Sequence, residues 1–438
     1  MADSPLSVLQ VNTADVGGGA EAVAWNLFQA YRRAGHISQL AVGHRRTDDP
    51  DVLPIQSRRG KSRLRQWLAR WRGHEDFDFP GTWSLLSLGK RPPDVIHCHN
   101  LHGFYFDLNT LAWLSGHVPV VVTLHDAWLL SGHCAHSFDC TRWQTGCGNC
   151  PDLSIYPSVL RDGTAFNWQR KAGIMRASRL YVATPSRWLM DKVAQSLVAP
   201  AIVEARVVPN GVDLSVFSPG DKQRARAATG LPRNAAILLH VANHVRTNPF
   251  KDFSTLRRSV ELAARALPGR RLMLVVVGDS GRDEHLGEAV VRFVPPLARH
   301  ADIAEYYRAA DVYVHAARAD TFPNTVIEAL ACGTPVVATA VGGIVEQVKS
   351  VAGFDGATIA ASHKTCDADE ATGILVEQAN AQAMAEAVSV ILDDHALARR
   401  MSHHAARDAR QRFSLDRQVE SYLSWYRQIV RQPASRAA

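Results

Sequence analysis

No apolar run in this 438-residue sequence reaches the ~18–20 residues needed to cross a bilayer, which excludes a helical membrane channel. Cysteine is sparse: the seven present are an odd number, which fits a reducing compartment better than a secreted disulfide framework. No low-complexity tract and no repeat of roughly 20–50 residues stands out, so a solenoid or array is excluded. The opening segment MADSPLSVLQVN has neither a basic leader nor an apolar signal core, and a cytoplasmic location is the expectation. What is present is about two to three ordinary domains' worth of chain. With 46% hydrophobic and 21% charged residues, it has the composition of a folded protein with a sizeable core.

Excess positive charge is also missing everywhere but in one place. The formal net charge is +7. Seven basic residues (Arg58, Arg59, Lys61, Arg63, Arg65, Arg70 and Arg72) fall in one stretch without an acid, and they equal the whole excess. Within it Leu64, Trp67, Leu68 and Trp71 repeat at i, i+3, i+4, i+7, the pattern of a basic amphipathic helix. Such a helix suits the surface of an anionic membrane, with each basic residue adding about 1 kcal/mol of attraction. The alternative is a stripe packed on its own domain with the arginines solvated. One isolated stretch is too small a footprint for nucleic acid, which is excluded as a partner.

The remainder reads as strands alternating with helices, the pattern of parallel sheets covered on both faces. Apolar runs at 6–12, 94–99, 119–124 and 180–183 suit buried strands, and a helix is expected over about 20–34. A second series begins near Ala236 with AILLHVAN, DFSTLRRSVELAARAL and RLMLVVVGD, and continues through DVYVHA, TPVVATA and GILVE. Between the series, VVPNGVDLSVFSPGDK is rich in turn formers and reads as a linker. The expected domains are 1–208 and 221–413, joined by 209–220. Residues 414–438 form a terminal helix packing back toward the first domain, and each domain is doubly wound with its chemistry at the carboxyl ends of the strands.

Two segments at strand–helix junctions carry chemistry. Gly17, Gly18 and Gly19 allow close backbone approach, and the following helix N-terminus offers free N–H groups to an anion, although the spacing is not that of a dinucleotide fingerprint. DTFPNTVIEALACGTPVVAT is more specific. Pro323 suits a first helical turn, Asn324 and Thr325 place polar groups beside its amides, and Asp320 and Glu328 can accept bonds from sugar and ribose hydroxyls.

This string resembles the E-x7-E region of retaining glycosyltransferases of family 4, with Asp320 in place of the usual first Glu and Glu328 as the second. VVPNGVDLSVFSP, VVVGDSG and VGGIVEQV (with Glu346) resemble further segments of that family. HNLHGFYFDLNTL and TLHDAWLLSGHCAHSFDC look like its colanic-acid, exopolysaccharide-building branch. The resemblance implies the α/β GT-B fold, two Rossmann-like domains facing a central cleft. It also implies a nucleotide-diphosphate sugar on the C-terminal domain, a glycan or lipid-linked acceptor on the N-terminal one, and no catalytic metal. Lys251 matches the lysine that neutralises the departing diphosphate. The family's arginine position holds Asn243, with Arg246 three residues on as its substitute. His125 matches a histidine beside the transferred sugar, and Asn100 and His102 are acceptor-side candidates.

Four cysteines, Cys134, Cys140, Cys147 and Cys150, fall in one loop at 133–151 as C-x5-C-x6-C-x2-C, with His133 and His136 nearby. Four soft ligands suffice for a closed structural zinc site; a loop of free thiols is the alternative. The expected function is sugar transfer by a hexosyltransferase in polysaccharide biosynthesis, in the cytoplasm or at the inner face of the membrane. Epimerisation of a nucleotide sugar on the same scaffold and non-catalytic sugar-nucleotide binding are the alternatives.

Overall fold

The computed structural model describes residues 4–56, 63–352 and 365–431. Residues 57–62 of the basic segment, and the side chains through residue 66, lie outside this description. The chain divides into two compact units. Unit 1 comprises Met1–Pro209 with Asp416–Ala438, and unit 2 comprises Asn210–Leu415.

Unit 1 is built on seven strands: β1 (Ser7–Ala14), β2 (Ile37–His44), β3 (Val52–Pro54), β4 (Val95–Cys98), β5 (Val120–Thr123), β6 (Leu180–Thr184) and β7 (Ile202–Val207). All pair in parallel, in the order β3-β2-β1-β4-β5-β6-β7. Parallel neighbours need crossovers that cover both faces, which is why strands such as VVVT in β5 are buried throughout. The order reverses between β1 and β4, and a doubly wound sheet places ligands outside the carboxyl ends of its strands at such a point.

Helix Leu415–Arg431 belongs to unit 1 although it follows unit 2 in sequence. Its Tyr422, Leu423, Trp425, Tyr426 and Ile429 are buried against Leu6, Val8, Leu27, Tyr31, Val95 and Val121. The hydroxyls of this seam are satisfied by one another and by the sheet. Tyr31 Oη lies 3.2 Å from Tyr426 Oη, Tyr426 Oη 2.6 Å from His97 Nδ1, His97 Nε2 2.7 Å from Thr123 Oγ1, and Thr123 Oγ1 2.8 Å from Tyr422 Oη.

Unit 2 has nine strands: β8 (Ala236–Val241), β9 (Leu272–Val277), β10 (Glu284–Leu286), β11 (Ala289–Val294), β12 (Val312–His315), β13 (Val336–Thr339), β14 (Ser350–Val351), β15 (Thr365–Cys366) and β16 (Gly373–Val376). Their order is β10-β11-β9-β8-β12-β13-β16-β14-β15, with only the β10–β11 pair antiparallel among the described residues. Here the reversal falls between β8 and β12.

The stretch read as a linker is part of unit 2. Val212 and Phe217 are buried in its core beside Phe413. The Val212 amide donates to the Phe413 carbonyl at 2.8 Å, and the Leu415 amide to the Val212 carbonyl at 2.9 Å. The turn residues of 209–220 bend the chain, but its apolar side chains anchor it, so the crossing point narrows to Pro209–Asn210.

Candidate active site

In unit 2 the loops leaving β8 and β12 meet. Lys251 lies in the loop between β8 and helix Phe253–Ala266, and its backbone bridges Ala317 in the loop after β12. That bridge brings Lys251 Nζ within 2.5 Å of Asp320 Oδ2. His315, the buried last residue of β12, completes the cluster. Its Nε2 lies 3.3 Å from Asp320 Oδ2 and 3.4 Å from Lys251 Nζ, and its Nδ1 lies 3.0 Å from the Tyr313 hydroxyl. Burial alone would raise the Asp320 carboxyl, but Lys251 and His315 outweigh it and hold it well below the usual carboxylate range. Burial, then the Lys251 charge, lowers the His315 pKa. The result is a carboxylate kept ionised in a half-dry setting. His315 carries no motif of its own in the sequence, although it closes the apolar run of DVYVHA much as His125 follows that of VVVTLHD.

Asp320 is also fixed through its backbone. Gly342 has φ +55°, and a Cβ there would stand 1.8 Å from the Asp320 carbonyl oxygen; only glycine fits. Past Asp320 comes helix Asn324–Ala331, with Pro323 at the N-cap rather than in the first turn. Asn324 Oδ1 accepts from Asn210 Nδ2 at 2.9 Å. Thr325 opens the helix beside it. Glu328 does not pair with Asp320: its Oε2 accepts from the Tyr307 hydroxyl at 2.9 Å. Burial pushes the Glu328 carboxyl up to about 7, with the Tyr307 hydrogen bond pulling partly the other way.

Arg246 is engaged elsewhere. Its guanidinium pairs with Asp279 at 3.0 Å, donates to the Ser280 carbonyl and stacks over Phe293. Gly278, at φ +104° and close against the Ala242 carbonyl, lets the end of β9 approach this loop. The substitute arginine is thus brought to the VVVGDSG turn, and its hydrogen bonds go to that turn rather than to the Lys251 cluster.

In unit 1, Gly18 is the N-cap of helix Gly19–Arg33 and donates its amide to Glu21 Oε2 at 3.0 Å. Both Gly18 and Gly19 are exposed. His125 follows β5 and is half-buried. Its Nε2 lies 3.0 Å from His99 Nδ1, whose other nitrogen lies 2.9 Å from Gln10 Oε1. Burial lowers the His125 pKa to about 4, and burial together with His97 and His125 holds that of His99 well below the usual imidazole value. Both rings are neutral at physiological pH. Asn100 takes part through its carbonyl, which accepts from the Tyr105 hydroxyl at 2.5 Å. His102 Nε2 donates to Asp126 Oδ2 at 2.8 Å. Burial would lower its pKa, but the Asp126 charge and hydrogen bond leave it raised.

The four loop cysteines line one small cavity with His133, but they do not form the expected zinc centre. Among the described residues no three His, Cys, Asp or Glu side chains are arranged to hold a metal ion. His133 Nε2 lies 3.4 Å from Cys150 Sγ, and two of the sulfurs also meet backbone groups. Cys147 Sγ accepts from the Gly132 amide at 3.2 Å, Cys150 Sγ donates to the Asp152 carbonyl at 3.4 Å, and His133 Nδ1 is 3.0 Å from the Pro157 carbonyl. Burial raises the Cys147 thiol to about 11 and also raises that of Cys134.

Helix Arg63–Trp71 is present, with Trp67 60% and Trp71 43% exposed, and Arg161 lying over the Trp71 ring at 3.9 Å. Among the described residues no helix is long and apolar enough to cross a membrane.

The family description "Glycosyltransferase Family 4" matches residues 17–216, and "Glycosyl transferases group 1" matches 235–394. The D-inositol 3-phosphate glycosyltransferase of Kineococcus radiotolerans is 30% identical over 99% of this chain and 94% of its own length. That of Mycobacteroides abscessus is 30% identical over 98% and 87%. Among solved structures, the sucrose-phosphate synthase of Thermosynechococcus elongatus superposes with a TM-score of 0.63 at 20% identity, covering 97% of this chain and 98% of its own. Anabaena HepE in complex with UDP and glucose gives 0.64 at 17% identity over 97% and 100%. At these identities the structural likeness speaks for the fold.

Proposed function

The chain is a nucleotide-sugar-dependent glycosyltransferase of family 4 with the GT-B fold, and from that premise we propose that it is a hexosyltransferase acting on a glycan or lipid-linked glycan in polysaccharide assembly. The carrying observation is the cluster of Lys251, Asp320 and His315 at the carboxyl ends of β8 and β12, one helix turn from Glu328. Lys251 supplies the positive charge that meets the departing diphosphate. Glu328, as a carboxylate, accepts from the ribose hydroxyls, and Asp320 from hydroxyls of the sugar. Pro323, Asn324 and Thr325 present the helix N-terminus to the phosphates. In unit 1, His125 meets the transferred sugar, and Asn100 and His102 face the acceptor. Transfer breaks the bond from the anomeric carbon to the diphosphate oxygen and forms one to the acceptor oxygen on the same face. The acceptor's proton passes to the leaving phosphate, so no separate side-chain base is required.

HepE, whose structures hold UDP and UDP-glucose, makes UDP the base tried first. UDP, GDP and ADP are screened for a rise in Tm; then UDP-sugars are incubated with and without acceptors, D-inositol 3-phosphate among them because the relatives carry that name. Release of UDP only with an acceptor supports transfer. Release or epimerisation without one supports the epimerase reading, and binding without turnover the scaffold reading. The exposed Trp67 and Trp71 favour docking of helix Arg63–Trp71 on the inner membrane face. Equal binding to neutral and anionic vesicles overturns the electrostatic part of that docking.

A further inference from the structure

The three residues Gln10, His99 and His125 form a file running from inside unit 1 outward. Gln10 is fully buried, His99 is 2% exposed and His125 is half-buried. Gln10 lies in the middle of β1, His99 just past β4 and His125 just past β5, so three adjacent parallel strands set their spacing. The amide oxygen of Gln10 faces His99 Nε2 at 2.9 Å, and His99 Nδ1 faces His125 Nε2 at 3.0 Å.

A neutral imidazole has one N–H and one lone pair, so this file can be read proton by proton. The Gln10 carbonyl is an acceptor only, hence His99 Nε2 carries the proton. His99 Nδ1 is then a lone pair, and His125 Nε2 must donate to it. The remaining nitrogen of His125, Nδ1, is left unprotonated. Among the described residues it has no hydrogen-bond partner, and it is not one of the buried polar atoms without one, so it is open to solvent. The Gln10 amide nitrogen, by contrast, is buried without a partner. Burial keeps both rings neutral, so the file transmits hydrogen-bond polarity and no charge.

We propose that Gln10 and His99 are positioning residues that fix the tautomer of His125, so that its outward nitrogen is a hydrogen-bond acceptor for a hydroxyl of the donor sugar. This rests on the reading of His125 as the residue that meets the sugar, and it adds a sign to that contact. A hydroxyl bonded to an acceptor gains electron density on its oxygen, which favours the positive character developing at the anomeric carbon during transfer. A protonated Nδ1 would draw density the other way. His99 also holds the ring plane of His125: the two rings are stacked 18° from parallel at 5.3 Å.

The test begins on the unmodified full-length chain labelled with 15N-histidine. Long-range proton–nitrogen correlation at neutral pH gives the protonation of each ring nitrogen, with His125 assigned as the pattern lost in His125→Asn. An unprotonated Nδ1 with a protonated Nε2 is the expected result; the reverse pattern, or averaging of the two, overturns the proposal. Gln10→Leu removes the inner acceptor. It is expected to average the His125 pattern and lower kcat about tenfold in a chain that still folds, with a Tm lowered by the unsatisfied His99 N–H. Normal kcat in folded Gln10→Leu overturns the positioning role. Normal kcat in His125→Asn is a different failure: it removes His125 from the sugar site, while the tautomer measured in the unmodified chain stands.

Discussion

Lys251 Nζ donates to Asp320 Oδ2 at 2.5 Å, so the cation proposed to meet the diphosphate is held by the carboxylate proposed to meet the sugar. The pair is 14% and 18% exposed at its side chains, dry enough that losing one partner strands the other. Donor binding must therefore exchange one counter-charge for another, a smaller change than bringing phosphate to a bare lysine.

Lys251→Ala is expected to lower turnover by about 10²–10³-fold, the scale of removing one charge-stabilising donor. It also lowers Tm, because Asp320 is left charged beside neutral His315. Asp320→Asn in the same chain restores much of the Tm without restoring turnover. A double-mutant cycle on Tm and initial rate reads both, with a coupling of about 1–3 kcal/mol. Additive Tm losses refute the pairing.

Glu328 gives a pH dependence whose sign follows from its environment. Its carboxyl is raised from 4.5 to about 7 on folding. Between those values the folded chain holds a proton that the unfolded chain releases, so this group's contribution to stability falls as pH rises through the window and is constant above it. Glu328→Gln removes that slope and raises Tm at about pH 8 relative to the unsubstituted chain. In the proposed role of Glu328 affinity runs the opposite way, because it is the carboxylate that accepts from ribose hydroxyls. UDP binding strengthens from about pH 6 to about pH 8 and is weaker and flat in Glu328→Gln. Calorimetric titration at both pH values checks this.

Gly342→Ala places a methyl carbon on the Asp320 carbonyl. The loop must shift, and a misplacement of ~1 Å costs about 10²-fold in rate. Loss of kcat is expected to exceed what the change in Tm explains, with helix content intact by circular dichroism.

Trp425→Ala empties one of the largest fully buried side-chain sites in the chain and is expected to cost about 3–5 kcal/mol. Tyr426→Phe keeps the ring but leaves His97 Nδ1 and the Tyr31 hydroxyl short of a partner, at about 1–3 kcal/mol. Both losses belong to unit 1. Hydrogen exchange should deepen in β1, β4 and β5 and leave β8, β12 and β13 unchanged.

The alternation of strands and helices was legible in the sequence because parallel strands buried on both faces are continuous apolar runs. Asp320, Pro323 and Glu328 were legible because their spacing is local. What escaped was whatever depends on neighbours across a sheet. Gln10 and His99 are 89 residues apart, and Glu328 meets Tyr307 rather than Asp320. Arg246 stands three residues past the position where the family's arginine is expected, and the return of β9 pairs it with Asp279, a neighbour its own loop does not reveal. The cysteines show a related gap: spacing counts sulfurs, whereas ligation depends on where each one points and what it already touches.

Helix Leu415–Arg431 also fixes an order of events during synthesis. The first two hundred residues leave the ribosome without the helix that covers Leu6, Val8, Tyr31 and Val95. That apolar face of the nascent sheet stays open until residues 415–431 emerge. Unit 2, a single continuous stretch, has everything it needs earlier. The unit translated second is thus able to finish folding first, while the unit translated first carries exposed apolar surface, the kind that promotes self-association, through the interval.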